Sequence, residues 1–197
     1  MDGMKETVIK KDHIYLWEDL VDLETLSKID YWWQFTKEND INDFDTLPWF
    51  EENALYYSEC LDTPIGEDVS KIREKLLEAV RKSFNKPELV FNTTTLVRWK
   101  EGKYMHAHKD NGYDGEDELK PREYTAVFYI NDDYEGGETF VLKEGTNEEE
   151  ISYTPKKNTL LLFKSDESCI HGVKEITKGR RLTLGAWFTS QLEFEEQ

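Results

Sequence analysis

Between Asp19 and Phe35 the apolar residues fall three and four apart. Leu20, Leu23, Leu26, Ile29 and Trp33 share one stripe and predict an amphipathic helix. A second stripe follows the Pro64 and Gly66 approach: Val69, Ile72, Leu76, Val80 and Phe84, with Pro87 just past its end. Residues 7–17 (TVIKKDHIYLW) predict a short first strand. Residues 36–53 are polar and acidic around Pro48 and read as a loop, with Trp49 and Phe50 tucked onto the core or reaching the mouth of a site.

From Leu89 onward the pattern changes period. Leu89 to Trp99, Tyr124 to Ile130, Glu138 to Leu142, Thr159 to Phe163 and Arg181 to Phe188 are rich in β-branched and aromatic residues and predict strands. Asn131-Asp132-Asp133, Gly136-Gly137, Lys143 to Asn147 and Lys178-Gly179 supply turns between them. The chain therefore reads as α+β, with residues 1–88 mainly helical support and residues 89–190 a double-sheet β core, in one domain over 1–197. Trp32 and Trp33 are expected to pack in the core, Trp187 to pack behind the β core, and Glu193 to Gln197 to fray.

Composition narrows the partners. The formal net charge of −17 opposes a standing partnership with nucleic acid or an anionic membrane, which both require a positive face. At 38% hydrophobic and 34% charged residues, the chain suits a globular protein with a hydrated surface. No run approaches a membrane span, and the first residues lack an apolar signal segment, which leads to a cytoplasmic expectation. Cys60 and Cys169 form no C-x-x-C pattern and are expected as free thiols.

The candidate chemistry lies in WKEGKYMHAHKD, residues 99–110, which ends in His108-x-Asp110. On a strand, residues i and i+2 face the same side, so one imidazole and one carboxylate can meet one metal. His171, in CIHGV, is the second imidazole, and Arg181 follows it by ten residues. Two histidines and a carboxylate on one face of Fe(II) leave three positions open, two for a chelating 2-oxo acid and one for dioxygen. His106, two residues before His108, is expected on the same face, either supporting the ligands from behind or at the entrance. Only one of Arg180 and Arg181 can point inward.

In order, these features are H-x-D, a Gly-Gly turn, a distal histidine and a following arginine. Together they make residues 96–189 resemble the Fe(II)/2-oxoglutarate-dependent dioxygenases of the prolyl hydroxylase group. Gly102, His108 and Asp110 echo the prolyl 4-hydroxylase motif. REYTAVFYINDDYEGG and HGVKEITKGRRLTLGAWFT are similar to leprecan-type prolyl 3-hydroxylase catalytic domains. Trp99 and Met105 depart from the family's aromatic pattern.

The resemblance implies a distorted double-stranded β-helix (jelly roll) with supporting N-terminal helices. It implies His108, Asp110 and His171 as iron ligands and Arg181 as the partner of the 2-oxoglutarate distal carboxylate, with Tyr129 and Thr183 beside it. The implied cofactors are Fe(II), 2-oxoglutarate and O2, with ascorbate as a further expectation. The implied reaction is hydroxylation of an unactivated C–H bond in a prolyl residue of a peptide or protein, releasing succinate and CO2. The same chemistry on a free amino acid or other small molecule is the alternative. A non-catalytic module on this fold would have shed a ligand or the arginine, and all four are present. Residues 111–122 (NGYDGEDELKPR) read as a mobile lid that selects substrate.

Overall fold

A computed structural model describes residues 4–35, 43–47 and 50–196. The chain opens with a hairpin, β1 (Lys5–Lys10) and β2 (Ile14–Glu18), then enters α1 (Leu23–Phe35). A second hairpin follows, β3 (Asp43–Leu47) and β4 (Phe50–Tyr56), then the short α2 (Tyr57–Leu61) and the long α3 (Gly66–Phe84). The second half holds β5 (Val90–Lys100), β6 (Met105–His108), β7 (Tyr124–Tyr129), β8 (Glu135–Gly136) and β9 (Thr139–Leu142). It ends with β10 (Glu149–Tyr153), β11 (Thr159–Lys164), β12 (His171–Val173), β13 (Ile176–Lys178) and β14 (Arg180–Thr189).

The strands form an eight-stranded sheet in the order β1-β2-β11-β7-β14-β5-β4-β3 and a four-stranded sheet in the order β10-β9-β12-β6, with β8 and β13 paired apart. Every pairing among the described residues is antiparallel. The central strand β14 shows how sequence alternation sets the layers. Leu182, Leu184, Ala186 and Phe188 pack in the core shared with Leu26, Ile29, Val69, Ile72, Leu76 and Val80 of α1 and α3. Burying each large side chain contributes about 1.5–3 kcal/mol, so this face fixes the register. The alternate residues Arg181, Thr183, Gly185 and Trp187 line a cavity on the opposite face. Between the two sheets, Ile14, Tyr129, Val141, Leu161, Phe163 and Cys169 form a second core.

Helix signals act close to where the pattern places them. Asp22 accepts the Thr25 amide at 2.8 Å, and so α1 starts at Leu23 rather than Asp19. Leu23 is therefore on the first turn and 64% exposed, outside the stripe assigned to it, while Leu26, Ile29 and Trp33 are fully buried. At the end of α3, Asn85 turns left-handed at φ 53° and the Lys86 amide reaches back to the Arg81 carbonyl at 3.0 Å.

Four expectations are corrected. The single strand over residues 7–17 is a hairpin, because Asp12 adopts φ 63° and turns the chain. The first 88 residues supply four strands to the large sheet as well as helices, and the 36–53 loop contains β3 and part of β4. Trp49 lies outside the described residues, as does the side chain of Phe50. The acidic end is anchored at Glu196, which accepts from Arg73 Nη2 at 2.7 Å, from the Thr94 amide at 2.9 Å and from Thr94 Oγ1 at 2.9 Å. Its own amide donates to the Phe91 carbonyl at 2.8 Å.

Both cysteines are buried free thiols, and no helix among the described residues is long and apolar enough to cross a membrane. Glu196 and Arg73 are 14% and 10% exposed, so their pairing is partly desolvated. Glu196→Ala should lower unfolding stability by about 2 kcal/mol, because it leaves the Arg73 guanidinium buried without its anion. Urea unfolding monitored by tryptophan fluorescence reads this directly, and an unchanged midpoint would mean the docked tail contributes nothing.

Candidate active site

Register brings the two histidines together. His108 ends β6, His171 begins β12, and the two are direct antiparallel partners with ring centroids 4.5 Å apart. Asp110 joins them from just past the strand, in a turn, so the i, i+2 strand geometry is not what orients it. His108 Nε2 lies 3.4 Å from Asp110 Oδ1, and His171 Nε2 lies 3.3 Å from Oδ2. One ligand atom from each of the three residues lies within 4.8 Å of the others, a spacing that could hold a metal ion.

The surrounding hydrogen bonds fix which atoms face inward. His108 Nδ1 meets the His106 carbonyl at 2.8 Å, and His171 Nδ1 meets the Cys169 carbonyl at 3.0 Å. A carbonyl only accepts, so each Nδ1 carries the proton and each Nε2 offers a lone pair. Thr125 Oγ1 donates to Asp110 Oδ2 at 2.6 Å, and the Ser165 hydroxyl therefore donates to Thr125 across 2.8 Å. Phe163 packs on the His171 ring at 4.3 Å. This outer ring of contacts fixes the orientation of all three inward-facing atoms.

Electrostatics agree with the geometry. Burial opposes the Asp110 charge, but His171, His108 and the Thr125 hydroxyl outweigh it and hold the carboxyl well below its usual range. Burial also lowers His171, to about 4, so its ring is neutral near pH 7. Burial works against a charged His108 as well, yet the hydrogen bond and charge of Asp110 raise it. A neutral lone pair on His171 thus faces an ionised carboxylate, and a proton on His108 competes with a cation for the same place.

Arg181 lies along the same cavity. It is 2% exposed, its Nη2 donates to Thr139 Oγ1 at 3.2 Å, and its guanidinium carbon sits 5.3 Å from the Trp99 and Tyr129 ring centroids. Its Nε is buried with no hydrogen-bond partner, and among the described residues it pairs with no carboxylate. Tyr129 is fully buried and its hydroxyl shares a 2.7 Å hydrogen bond with Thr139. Thr183, the register partner of Tyr129, faces the cavity beside Arg181. Arg180 is half-buried and does not line that cavity. The alternation of β14 thus turns Arg181 inward.

The Gly-Gly turn is more than a hairpin. Gly136 pairs with Ile176 across β8 and β13, and a Cβ at Gly137 would lie 3.2 Å from Arg181 Cδ. The close approach of this turn to the arginine therefore favours glycine, as do the positive φ values of 76° and 70°.

The cavity encloses about 270 Å³ and runs from Arg181 and Thr139 past the triad to Tyr56, Arg122 and Trp187. Trp187 is therefore a wall of the cavity and not packing behind the β core, since it alternates to the same face as Arg181 and Thr183. Arg122 lays its guanidinium 4.3 Å from the Trp187 ring centroid. The His106 side chain is exposed and lines a shallow groove with Tyr104, Phe140 and Lys174 rather than the cavity, and it is its carbonyl that supports His108.

Sequence reasoning missed Thr125, Ser165, Thr139 and Arg122. The periodicity of β7 could have flagged Thr125, which alternates with the apolar Ala126 and Phe128. The Thr139–Arg181 contact spans two strands and left no local trace.

Two facing antiparallel sheets with a His-Asp-His centre and a buried arginine define a double-stranded β-helix fold, and residues 94–189 match the model of the 2OG-Fe(II) oxygenase superfamily. Within that superfamily the similar proteins include prolyl hydroxylases. Prolyl 3-hydroxylase 2 of Homo sapiens is 40% identical over 68 residues, which are 34% of this chain and 10% of that protein. The chain thus spans about a tenth of the length of the curated relatives it matches. The viral collagen prolyl hydroxylase of Paramecium Bursaria Chlorella virus-1, solved as its 2OG complex, superposes with a TM-score of 0.63 at 17% identity, covering 95% of this chain and 97% of that one. A Trichoplax adhaerens prolyl hydroxylase, solved with a hypoxia inducible factor oxygen degradation domain peptide fragment, gives 0.69 at 12% identity, covering 95% and 88%.

The family implies Fe(II), 2-oxoglutarate and O2, and the donor set fits them. Two neutral imidazole nitrogens and a carboxylate suit Fe(II), and the orphaned Arg181 Nε suits a carboxylate. Thr125→Val should weaken Mn(II) binding roughly tenfold, because Asp110 loses the hydroxyl that orients it. Titration calorimetry checks this, and the same measurement in buffers of different ionisation enthalpy should show proton release on metal binding, growing as pH falls toward the raised pKa of His108. An affinity unchanged in Thr125→Val would mean the hydroxyl does not orient the ligand.

Proposed function

We propose that the chain is an Fe(II)- and 2-oxoglutarate-dependent dioxygenase that hydroxylates an unactivated C–H bond, with a prolyl residue in a peptide or protein as substrate. One observation carries this reading: a buried arginine that pairs with no carboxylate among the described residues shares a cavity with three converging atoms that could hold a metal ion. A cation kept out of water in this way costs several kcal/mol unless an anion joins it, so the site calls for a carboxylate ligand.

When bound, Fe(II) with 2-oxoglutarate and O2 supplies oxidative decarboxylation to succinate and CO2 and the oxygen atom of the new hydroxyl. His108 and His171 would hold the metal through Nε2 and Asp110 through its carboxylate, each oriented by its outer hydrogen bond. Arg181 would grip the distal carboxylate of 2-oxoglutarate, with the Thr139, Tyr129 and Thr183 hydroxyls beside it. Val97, Trp99 and Val173 line the same cavity and would exclude water from the centre.

A prolyl substrate accords with the opposite end. The Trp187 ring offers an apolar face to a saturated ring, and Arg122 beside it offers donors to peptide carbonyls. The exposed Tyr56 stands on this wall, and the segment from Asn111 to Arg122 would close over it as a lid.

The test is succinate release from 2-oxoglutarate with added Fe(II), in air and anaerobically, with and without ascorbate, against proline-rich peptides and free amino acids. Oxygen-dependent succinate that rises with a prolyl peptide is the expected result. A rise with free amino acids alone would move the substrate to small molecules, and failure to bind either Fe(II) or 2-oxoglutarate would overturn the reading. Arg181→Ala should raise the KM for 2-oxoglutarate roughly a hundredfold and leave Mn(II) affinity near wild type. Equal 2-oxoglutarate use by wild type and Arg181→Ala would remove the assignment.

A further inference from the structure

Gly185 stands in the middle of β14, the strand that also carries Arg181 and Trp187. Glycine is a poor choice inside a long central strand, because it adds chain entropy to the unfolded state and packs no side chain. Every other described glycine has a backbone reason. Gly102, Gly112, Gly115, Gly136, Gly137, Gly145 and Gly179 adopt positive φ. At Gly66 and Gly172 a Cβ would fall 2.9 Å or closer to neighbouring atoms.

Gly185 has neither reason. Its φ is ordinary for a strand, and a Cβ built on it would meet Trp187 Cη2 at 3.5 Å, Thr95 Oγ1 at 3.6 Å and Trp187 Cζ3 at 3.8 Å, all ordinary van der Waals contacts. The protein itself therefore has room for alanine. The residue faces the cavity and stays half-buried, whereas Leu184 and Ala186 on either side are fully buried toward the helices. Its cross-strand neighbours Thr95 and Val127 line the same cavity. A strand glycine that internal packing does not require is accounted for when another molecule approaches the bare backbone.

We propose that Gly185 is a specificity-determining position whose bare backbone forms the floor of the subsite for the reacting residue. The substrate's saturated ring lies against the Trp187 indole, with its edge in the space that a Cβ would fill. The inference deepens the hydroxylase reading and rests on it for the identity of the occupant. The glycine's freedom from any structural duty rests on geometry alone.

The experiment compares wild type, Gly185→Ala and Gly185→Val, each loaded with metal and 2-oxoglutarate. It measures melting temperature, Mn(II) affinity and succinate release stimulated by the proline-rich peptide pool. Gly185→Ala should melt at or above the wild-type temperature, since alanine removes unfolded-state freedom without a clash. Its KM for the stimulating peptide should rise roughly tenfold while Mn(II) affinity holds, and Gly185→Val should lose peptide stimulation.

Wild-type peptide kinetics in Gly185→Val would overturn the proposal. So would a lower melting temperature in Gly185→Ala, because that would make the glycine structural. A wild type that no prolyl peptide stimulates would defeat the substrate reading instead. The melting temperature of Gly185→Ala would still decide whether the glycine serves the fold or the cavity.

Discussion

Three lone-pair donors point at one another, and the rest of the site follows from that. Nε2 of His108, Nε2 of His171 and the Asp110 carboxylate converge, and the outward nitrogens of both rings are committed to backbone carbonyls. Such an arrangement is electrostatically incomplete without a positive charge between the donors. The fold holds it by register: β6 and β12 set the histidines opposite each other, and the Thr125–Ser165 hydroxyl pair secures Asp110 from β7 and the end of β11.

The buried guanidinium of Arg181 is the complementary deficiency. Among the described residues it pairs with no carboxylate, while the triad converges on the place a cation would take. A ligand with a carboxylate at one end and a metal-chelating group at the other resolves both at once. The helices make this possible indirectly, because by burying Leu182, Leu184, Ala186 and Phe188 they fix which face of β14 looks into the cavity. A one-residue slip would turn Arg181, Thr183 and Trp187 toward α1 and α3.

Much of this was legible in sequence, for identifiable reasons. The α3 stripe survives because five apolar residues at helical spacing leave little choice of face, and the strands of the second half stand out by their β-branched and aromatic content. The convergence of His108, Asp110 and His171 was readable because that residue combination is rare and its order is informative. Trp187 was misplaced because aromatic identity alone does not separate a core wall from a cavity wall; the parity with Arg181 does. The hairpin at Asp12 hid in a run of strand-forming residues. The anchoring of Glu196 by Arg73 and Thr94 joins residues far apart in the chain, which no local pattern reports. The acidic surface obscured that anchor further, since Glu196 looks like one more solvated charge.

The central claim is that a metal ion occupies the convergence of His108, Asp110 and His171. Crystals grown anaerobically with Mn(II) and 2-oxoglutarate test it most directly, through the anomalous signal of the metal. The account predicts one peak bonded to both Nε2 atoms and an Asp110 oxygen, with the distal carboxylate of 2-oxoglutarate on Arg181. A peak elsewhere, or a metal at the triad with Arg181 still unpaired, would contradict it.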